Sequence, residues 1–318
     1  MDKPVFLQTT NQQHFETLLY ALYYAPRGRP RLYILGAQLA NRYLTASDLL
    51  VGVIGGEGSG KSTLIKGLFP GLELTNDDDG VNLKRTPIYD FSPDDFFSAH
   101  TFHMDIRYEL AFRQPFEIVD AINKAIENGR RVVIEHFDMI YQALGFNANI
   151  IFAIGEEVIV TRPTVFGPMP AAIKKVVDAT ARYRRMAHSA EDITSQILAT
   201  DYDYTRRVLH SDVKRGFTIK FPEIPDISIA ELEEKVKKVI AADVPIAAVG
   251  KDLIKIGDWS EMFCTGTRTH CARSGEIENF RLVKKYIYDP IWKEYMLVGI
   301  VGEKYQAGIE DMIYYGEE

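Results

Sequence analysis

The sequence predicts two units in tandem: an α/β unit with a mostly parallel sheet and flanking helices, followed by an α+β unit. Three observations carry this. Short apolar runs alternate with helical periods over residues 49–160, the pattern of strand–helix–strand repeats around a parallel sheet. A proline-rich joint, TRPTVFGPMP, occupies 161–170. Beyond it the character changes to one long helical pattern and several short strand-like runs. A chain of 318 residues suits two cores. The boundaries follow as an N-terminal helical segment at 1–48, a first domain at 49–168 and a second at 169–318.

Composition excludes several classes. At 46% hydrophobic and 25% charged residues the chain has the make-up of a soluble globular protein. No run approaches the roughly 18 apolar residues of a membrane span, and the first residues lack the apolar core of a signal peptide, so a cytoplasmic location is the default expectation. A net charge of −7 gives no global basic field for nucleic acid, and no DNA partner is expected. The two cysteines, Cys264 and Cys271, do not make a disulfide framework.

Taken in order, HFETLLYALYYA (14–25) and LYILGAQLANRYL (32–44) read as helices separated by RGRPR. DLLVGVIGGEGSGKSTLIKGLF (48–69) reads as strand, loop and helix. FEIVDAINKAIE is a helix closed by Asn128-Gly129, and RVVIEHF, IIFAIG and EEVIVTR are strands. A long helix follows over 171–199. The second unit offers GFTIKF, DLIKIG, FRLVKKYIY and EYMLVGIVG as strands around SIAELEEKVKKVIAA, a helix whose Ser228 and Glu231 fit a capping box.

The first site lies in the strand–loop–helix. Gly55, Gly56, Glu57, Gly58, Ser59, Gly60, Lys61 and Ser62 satisfy G-x-x-x-x-G-K-[ST], with Thr63 next on the helix. In a P-loop of this kind the backbone N–H groups and the helix dipole face phosphates. Lys61 reaches the β/γ oxygens and the Ser62 hydroxyl ligates Mg²⁺. The predicted fold of this unit is therefore a P-loop NTPase domain. Such a site needs an acid at a neighbouring strand end. Glu135 is the first choice, Asp138 the next and Asp105 a weaker one, with the run Asp77-Asp78-Asp79 as a further acidic group near the phosphates. No N/TKxD guanine-reading motif and no LSGGQ signature occurs, so the expected ligand is ATP with Mg²⁺.

The second site begins from spacing. His188 and Asp192 are i,i+4 on the predicted long helix, and Cys264 and His270 share a loop, so the four compose a candidate zinc site. RMAHSAEDITSQIL (185–198) resembles the H-x-x-x-H helix of alanyl-tRNA synthetase editing domains, with Asp192 at the second histidine position. FTIKFPEIPDISIAELEEKVKKVIAADVPI resembles the strand and Glu-rich helix that follow it in that family. CTGTRTHCARSGEI resembles the family's Cys-Gly-Gly-Thr-His and Thr-Gly-Glu-Ile, with His270 and Gly275-Glu276-Ile277 in register. The second unit, over residues about 180–300, is thus similar to the alanyl-tRNA synthetase second additional domain.

The resemblance implies an aminoacyl-tRNA editing-like pocket, with Zn²⁺ held by His188, Asp192, His270 and a thiol. The family cysteine falls on Gly266, which cannot ligate, and Cys264 replaces it only if the loop takes a different path. The other reading is a relic site with Cys264 and Cys271 as small apolar core residues. If the editing chemistry is retained, Thr267, Arg268 and Thr269 are candidate substrate contacts, and Arg182, Arg184, Arg185, Arg206, Arg207, Lys214 and Arg215 candidate contacts to tRNA phosphates.

The sequence leaves three functions open. In the first, an ATP-dependent protein acts on or recognises aminoacyl-tRNA in the manner of a trans-editing hydrolase, with Lys61 and Glu135 as catalytic residues of its ATP site. The second is a small-molecule kinase whose editing-like domain binds a nucleoside, an amino acid or a related aminoacyl metabolite. The third is a nucleotide-switched binding module.

Overall fold

The computed structural model describes residues 19–75, 86–92, 99–204, 209–210 and 213–303, the pair 209–210 by backbone alone. The Asp77–Asp79 run, Arg206 and Arg207 lie outside the described residues.

The protein is mixed α/β, with a six-stranded, mostly parallel sheet in its first part. The strands are β1 (Ala21–Tyr24), β2 (Leu50–Gly55), β3 (Thr101–Asp105), β4 (Arg131–Glu135), β5 (Ile150–Ile154) and β6 (Glu157–Thr161), in the order β1-β6-β5-β2-β4-β3. β2 pairs parallel with β4 and β5, and β3 pairs parallel with β4. Every residue of β2 is buried, as a central strand covered on both faces requires. The chain leaves β2 toward β4 and β3 on one side and toward β5 on the other. A crevice therefore opens past the carboxyl end of β2, where ligands bind in sheets of this kind.

The helical expectation for residues 14–25 is corrected at Ala21–Tyr24, which form an edge strand antiparallel to β6. Leu19 and Leu22 are exposed, so the apolar spacing does not serve a buried helix face. The ALYY segment has high strand propensity, and the free edge of β6 satisfies its backbone. Helix α1 (Arg29–Tyr43) packs against α2 (Lys61–Leu68), and a Cβ at Gly67 would sit 2.2 Å from the Tyr33 carbonyl oxygen. The described part of the 1–48 segment is thus built into the first sheet and its helix layer.

Two short helical pieces and one amphipathic helix cover the other face: α3 (Ile106–Glu109), α4 (Pro115–Glu127) and α5 (Tyr141–Leu144). As expected, α4 ends at Asn128, followed by Gly129 at φ 68°.

Helix α6 (Pro170–Asp201) begins where the Pro-rich joint ends and straddles both cores. Its 32 residues span about 48 Å. Ile173 and Val177 pack with the first sheet, and Tyr183, Met186, Ile193 and Leu198 with the second core. That second core is built on β8 (Gly216–Phe221), reached through β7 (Leu209–His210), together with α7 (Ile229–Ala241). A small sheet joins β9 (Ile246–Ala248), β10 (Leu253–Ile256) and β11 (Met262–Phe263). A larger one has β12 (Arg281–Leu282), β14 (Glu294–Ile300), β8 and β7 in order, with β13 (Ile287–Asp289) beside β14. The single strand expected over 280–288 is two short strands, β12 and β13, both paired with β14 and separated by residues 283–286. Ser228 caps α7 by accepting from the Glu231 N–H at 3.4 Å. Among the described residues no helix is long and apolar enough to cross a membrane.

Glu156, in the turn between β5 and β6, meets the second unit at the backbone N–H of Arg215. It is buried, its Oε2 has no hydrogen-bond partner, and burial followed by the charge of Glu157 pushes its carboxyl up to about 7. A folded-state value above the unfolded one means stability that is present below about pH 4.5 and lost as pH rises through 7. Glu156→Gln is expected to stabilise the protein at pH 8 by on the order of 2 kcal/mol and to change little at pH 5. Urea melts at the two pH values check this.

Candidate functional site

Past Gly55 the chain turns through Gly58 at φ 68° and enters α2 from Gly60 at φ 95°. The positive φ at Gly60 favours glycine, and a Cβ there would also displace the Leu32 Cδ2 methyl, 2.4 Å away. At Gly56 a Cβ would meet nothing within 4 Å, so the cradle is open there. The α2 N-terminus has no side-chain cap and no acidic residue in its first turn. Its N–H groups and dipole are left for an external anion. The buried Lys61 folds back, Nζ donating to Gly56 O at 3.0 Å and standing 4.0 Å from Glu135 Oε2.

The parallel register brings the acids alongside. Val53 of β2 is opposite Glu135 of β4, and Glu135 is opposite Asp105 of β3. Ser62 Oγ donates to Glu135 Oε1 at 3.2 Å. His103 adds a partner the sequence did not reveal. Its Nδ1 accepts from the Thr75 N–H at 3.1 Å, so the ring proton is on Nε2, which lies 3.3 Å from Glu135 Oε1. Burial alone would raise Glu135, but the hydrogen bond from His103 and then the charge of Lys61 outweigh it and hold the carboxyl below its ordinary value.

Asp105 is raised, by burial and then by the charge of Glu135, although its Oδ1 accepts from Arg107 N–H and Tyr108 N–H. His136 sits at φ 58°, and burial, then Lys61, pushes its imidazole down to about 4. Asp105, Glu135 and His136 offer ligand atoms that lie within 4.8 Å of one another. Ser62 Oγ and the two carboxylates are the hard oxygen donors that suit Mg²⁺. Asp138 is outside this cluster. It lies one turn on, raised by burial and balanced mainly by Lys174. The weaker sequence candidate, Asp105, is the one the register delivers to the site.

The second cluster stands on α6 and the loop at 264–271. Cys264 Sγ is 3.4 Å from His188 Nε2 and 4.0 Å from His270 Nε2. Asp192 Oδ2 is 2.9 Å from His270 Nε2 and 3.7 Å from His188 Nε2. A tetrahedral zinc site with bonds of about 2.0–2.3 Å needs ligand separations of roughly 3.3–3.8 Å.

The outer ring atoms fix both tautomers. His270 Nδ1 faces the Thr267 carbonyl at 3.2 Å and must donate to it. Thr269 Oγ1 gives its proton to Gly266 O at 2.7 Å and so accepts from His188 Nδ1 at 2.6 Å. With Nδ1 committed outward on both rings, each Nε2 faces inward, the orientation of metal-ligating histidines. The same 2.9 Å contact between His270 Nε2 and Asp192 Oδ2 serves a shared cation when Nε2 carries a lone pair and a direct hydrogen bond when it carries a proton.

The loop path settles the thiol. A Cβ at Gly266 would lie 2.3 Å from Arg27 O and 2.8 Å from His188 Cε1, so no side chain fits there. Cys264 reaches the cluster instead and accepts the Gly266 N–H at 3.4 Å. Burial, then Asp192, pushes its thiol well up, and burial, then His270, pushes His188 well down. Both shifts disfavour charge in a centre without a cation. With four protein donors and buried side chains, the set has the make-up of a structural metal site, not of one with an open position. Cys271 is apart, packed in the core with its N–H on Ser189 Oγ.

The two clusters share one wall. Arg184 of α6 is buried and donates to Ser59 O at 2.8 Å and Pro26 O at 2.5 Å, while Arg27 pairs with Glu191 and donates to Gly216 O. A cleft of ≈ 320 Å³ runs from Gly58, Ser62 and Lys66 to Arg29, Lys251 and Thr267. The sequence read Arg27 and Arg29 only as part of a helix break, because nothing local reports that the 264–271 loop lands on them.

Several basic residues expected to meet tRNA phosphates serve the fold. Arg184 is internal, Lys214 pairs with Glu157 at 2.8 Å in a buried position, and Arg215 lies 3.8 Å above the Tyr183 ring. No family model and no curated protein matches the chain.

Proposed function

We propose that the chain binds Mg-ATP at residues 55–63 and transfers the γ-phosphoryl group to a hydroxyl of a small acceptor. The carrying observation is the convergence of Lys61, Ser62, Glu135 and Asp105 at the carboxyl ends of β2, β4 and β3. The loop and α2 amides hold phosphate oxygens, and Lys61 neutralises their charge. Mg²⁺, held by Ser62 and Glu135, supplies Lewis-acid screening of the phosphates when bound. Glu135, kept ionised by His103, is suited to that ligation. Asp105, raised by burial and with Oδ1 occupied by two N–H groups, has the proton affinity and a second oxygen for accepting a hydroxyl proton.

Asp105→Asn is expected to lower acceptor phosphorylation by about 10²–10⁴-fold while Mg-ATP still binds. ADP release measured across panels of nucleosides, amino acids and related hydroxyl compounds tests the reading. Turnover that no acceptor accelerates would overturn the transfer step.

A second reading is favoured by one observation: the four donors that the editing-domain resemblance implied, with Cys264 as the thiol, do assemble. In that reading the second unit recognises the aminoacylated end of a tRNA, with the ion organising the loop and ATP gating the cleft. Deacylation and binding assays with mischarged alanyl-type tRNA, with and without ATP, check it, and neither cleavage nor binding would remove it.

A further inference from the structure

We propose that Arg268, from the second half of the chain, supplies a cation to the phosphates of the nucleotide held by the first half; this rests on the Mg-ATP reading above. The loop at 264–271 is seated on the cradle. A Cβ on Gly58 would lie 2.9 Å from the Arg268 carbonyl oxygen and 3.4 Å from its Cβ. The side chain is exposed, and it lines both the ≈ 320 Å³ cleft and a recess of ≈ 20 Å³ bounded by Gly56, Glu57 and Ser59. Arg268 therefore stands over the outer turn of the loop whose amides face the phosphates.

Three further arginines line the cleft and reach into the fold. Arg184 holds Ser59 O and Pro26 O, Arg27 holds Glu191 and Gly216 O, and Arg29 holds Asp252. Lys61 is buried beneath the phosphate position, beside Glu135. A phosphoryl group in transfer spreads negative charge over its outer oxygens, and a planar guanidinium on the opposite side complements that charge.

The platform is rigid enough to aim such a group. Thr269 N–H and Oγ1–H both donate to Gly266 O, Cys271 N–H donates to Ser189 Oγ, and Cys264 and His270 anchor the two sides of the loop in the metal cluster. Residues locked by packing and hydrogen bonds hold a charge in place without reorganisation.

The test compares wild type, Arg268→Ala, Arg268→Lys and Lys61→Ala in calorimetric binding of Mg-ADP, with and without aluminium fluoride as the mimic of the transferring phosphoryl group. Wild type is expected to bind Mg-ADP with aluminium fluoride at least about 100-fold more tightly than Mg-ADP alone. Arg268→Ala keeps its Mg-ADP affinity within about threefold and loses that tightening, and Arg268→Lys restores only a small part, lacking the planar fork. If Arg268→Ala tightens as wild type does, or wild type does not tighten, Arg268 has no such role. Loss of Mg-ADP binding in Arg268→Ala supports the proposal if metal content and melting temperature are unchanged, and overturns it if they fall. Lys61→Ala binding Mg-ADP like wild type would instead overturn the nucleotide reading itself.

Discussion

Lys61→Ala is expected to weaken Mg-ATP binding by at least about two orders of magnitude, with titration calorimetry as the measurement. A charge-assisted hydrogen bond to a phosphate contributes about 1.5–3 kcal/mol in a site of this kind. Here the loss is larger, because Lys61 serves two partners: it is the buried cation beside Glu135 and the tether to Gly56 O. Without it Glu135 keeps the hydrogen bonds of His103 and Ser62 but no neighbouring cation, so its carboxyl rises toward protonation and the Mg²⁺ ligand is weakened together with the phosphate contact. Lys61→Arg is not expected to rescue, since the buried position between Gly56 O and Glu135 is held by a compact ammonium and a planar fork is larger and differently shaped. Unchanged affinity in Lys61→Ala would remove the phosphate cradle as the site.

The second large effect is at the four-donor cluster. Purified protein is expected to carry one tightly held zinc-class ion per chain, measured by elemental analysis. His270→Ala and Cys264→Ala are each expected to lose it and to destabilise the second core by on the order of 3–5 kcal/mol. The cost is high because the remaining donors cannot return to water. Asp192, His188 and the thiol stay buried on α6 and the loop, where an unpaired carboxylate is strongly disfavoured. Asp192→Asn separates ligation from packing: it preserves shape and a hydrogen bond to His270 but supplies no charge. Weaker metal binding in Asp192→Asn at nearly unchanged volume is the expected signature. A cobalt-substituted protein should show a thiolate charge-transfer band that Cys264→Ala abolishes. Protein purified without metal, and unaffected in stability by chelator, would make the cluster a hydrogen-bonded relic.

The candidate site was legible in proportion to how local it is. Residues 55–63 could be read directly because a glycine loop between strand and helix carries its geometry in adjacent residues. Glu135 could be read because a buried strand ending in an acid is a local pattern too. His103 could not, since its role depends on β3 lying beside β4 and on Thr75 fixing its tautomer. Asp105 was ranked below Asp138 for the same reason: strand register, not separation along the chain, sets which acid stands beside Glu135. At Ala21–Tyr24 the aromatic and aliphatic spacing satisfied helix and strand alike, and the open edge of β6 decided between them.

What the amino-acid sequence by itself determined is the chemistry available: a glycine-rich turn between strand and helix, two histidines, a carboxylate and a thiol, with the helix spacing that puts His188 and Asp192 on one face. Tertiary structure decided which atoms meet. Arg27 O and His188 leave no room for a side chain at Gly266, so the thiol comes from Cys264. Helix α6, continuous from the first core into the second, sets the loop at 264–271 against Gly58. The physical reason is that close packing excludes and aligns side chains from elements far apart in the chain, and that information is absent from any single stretch of residues.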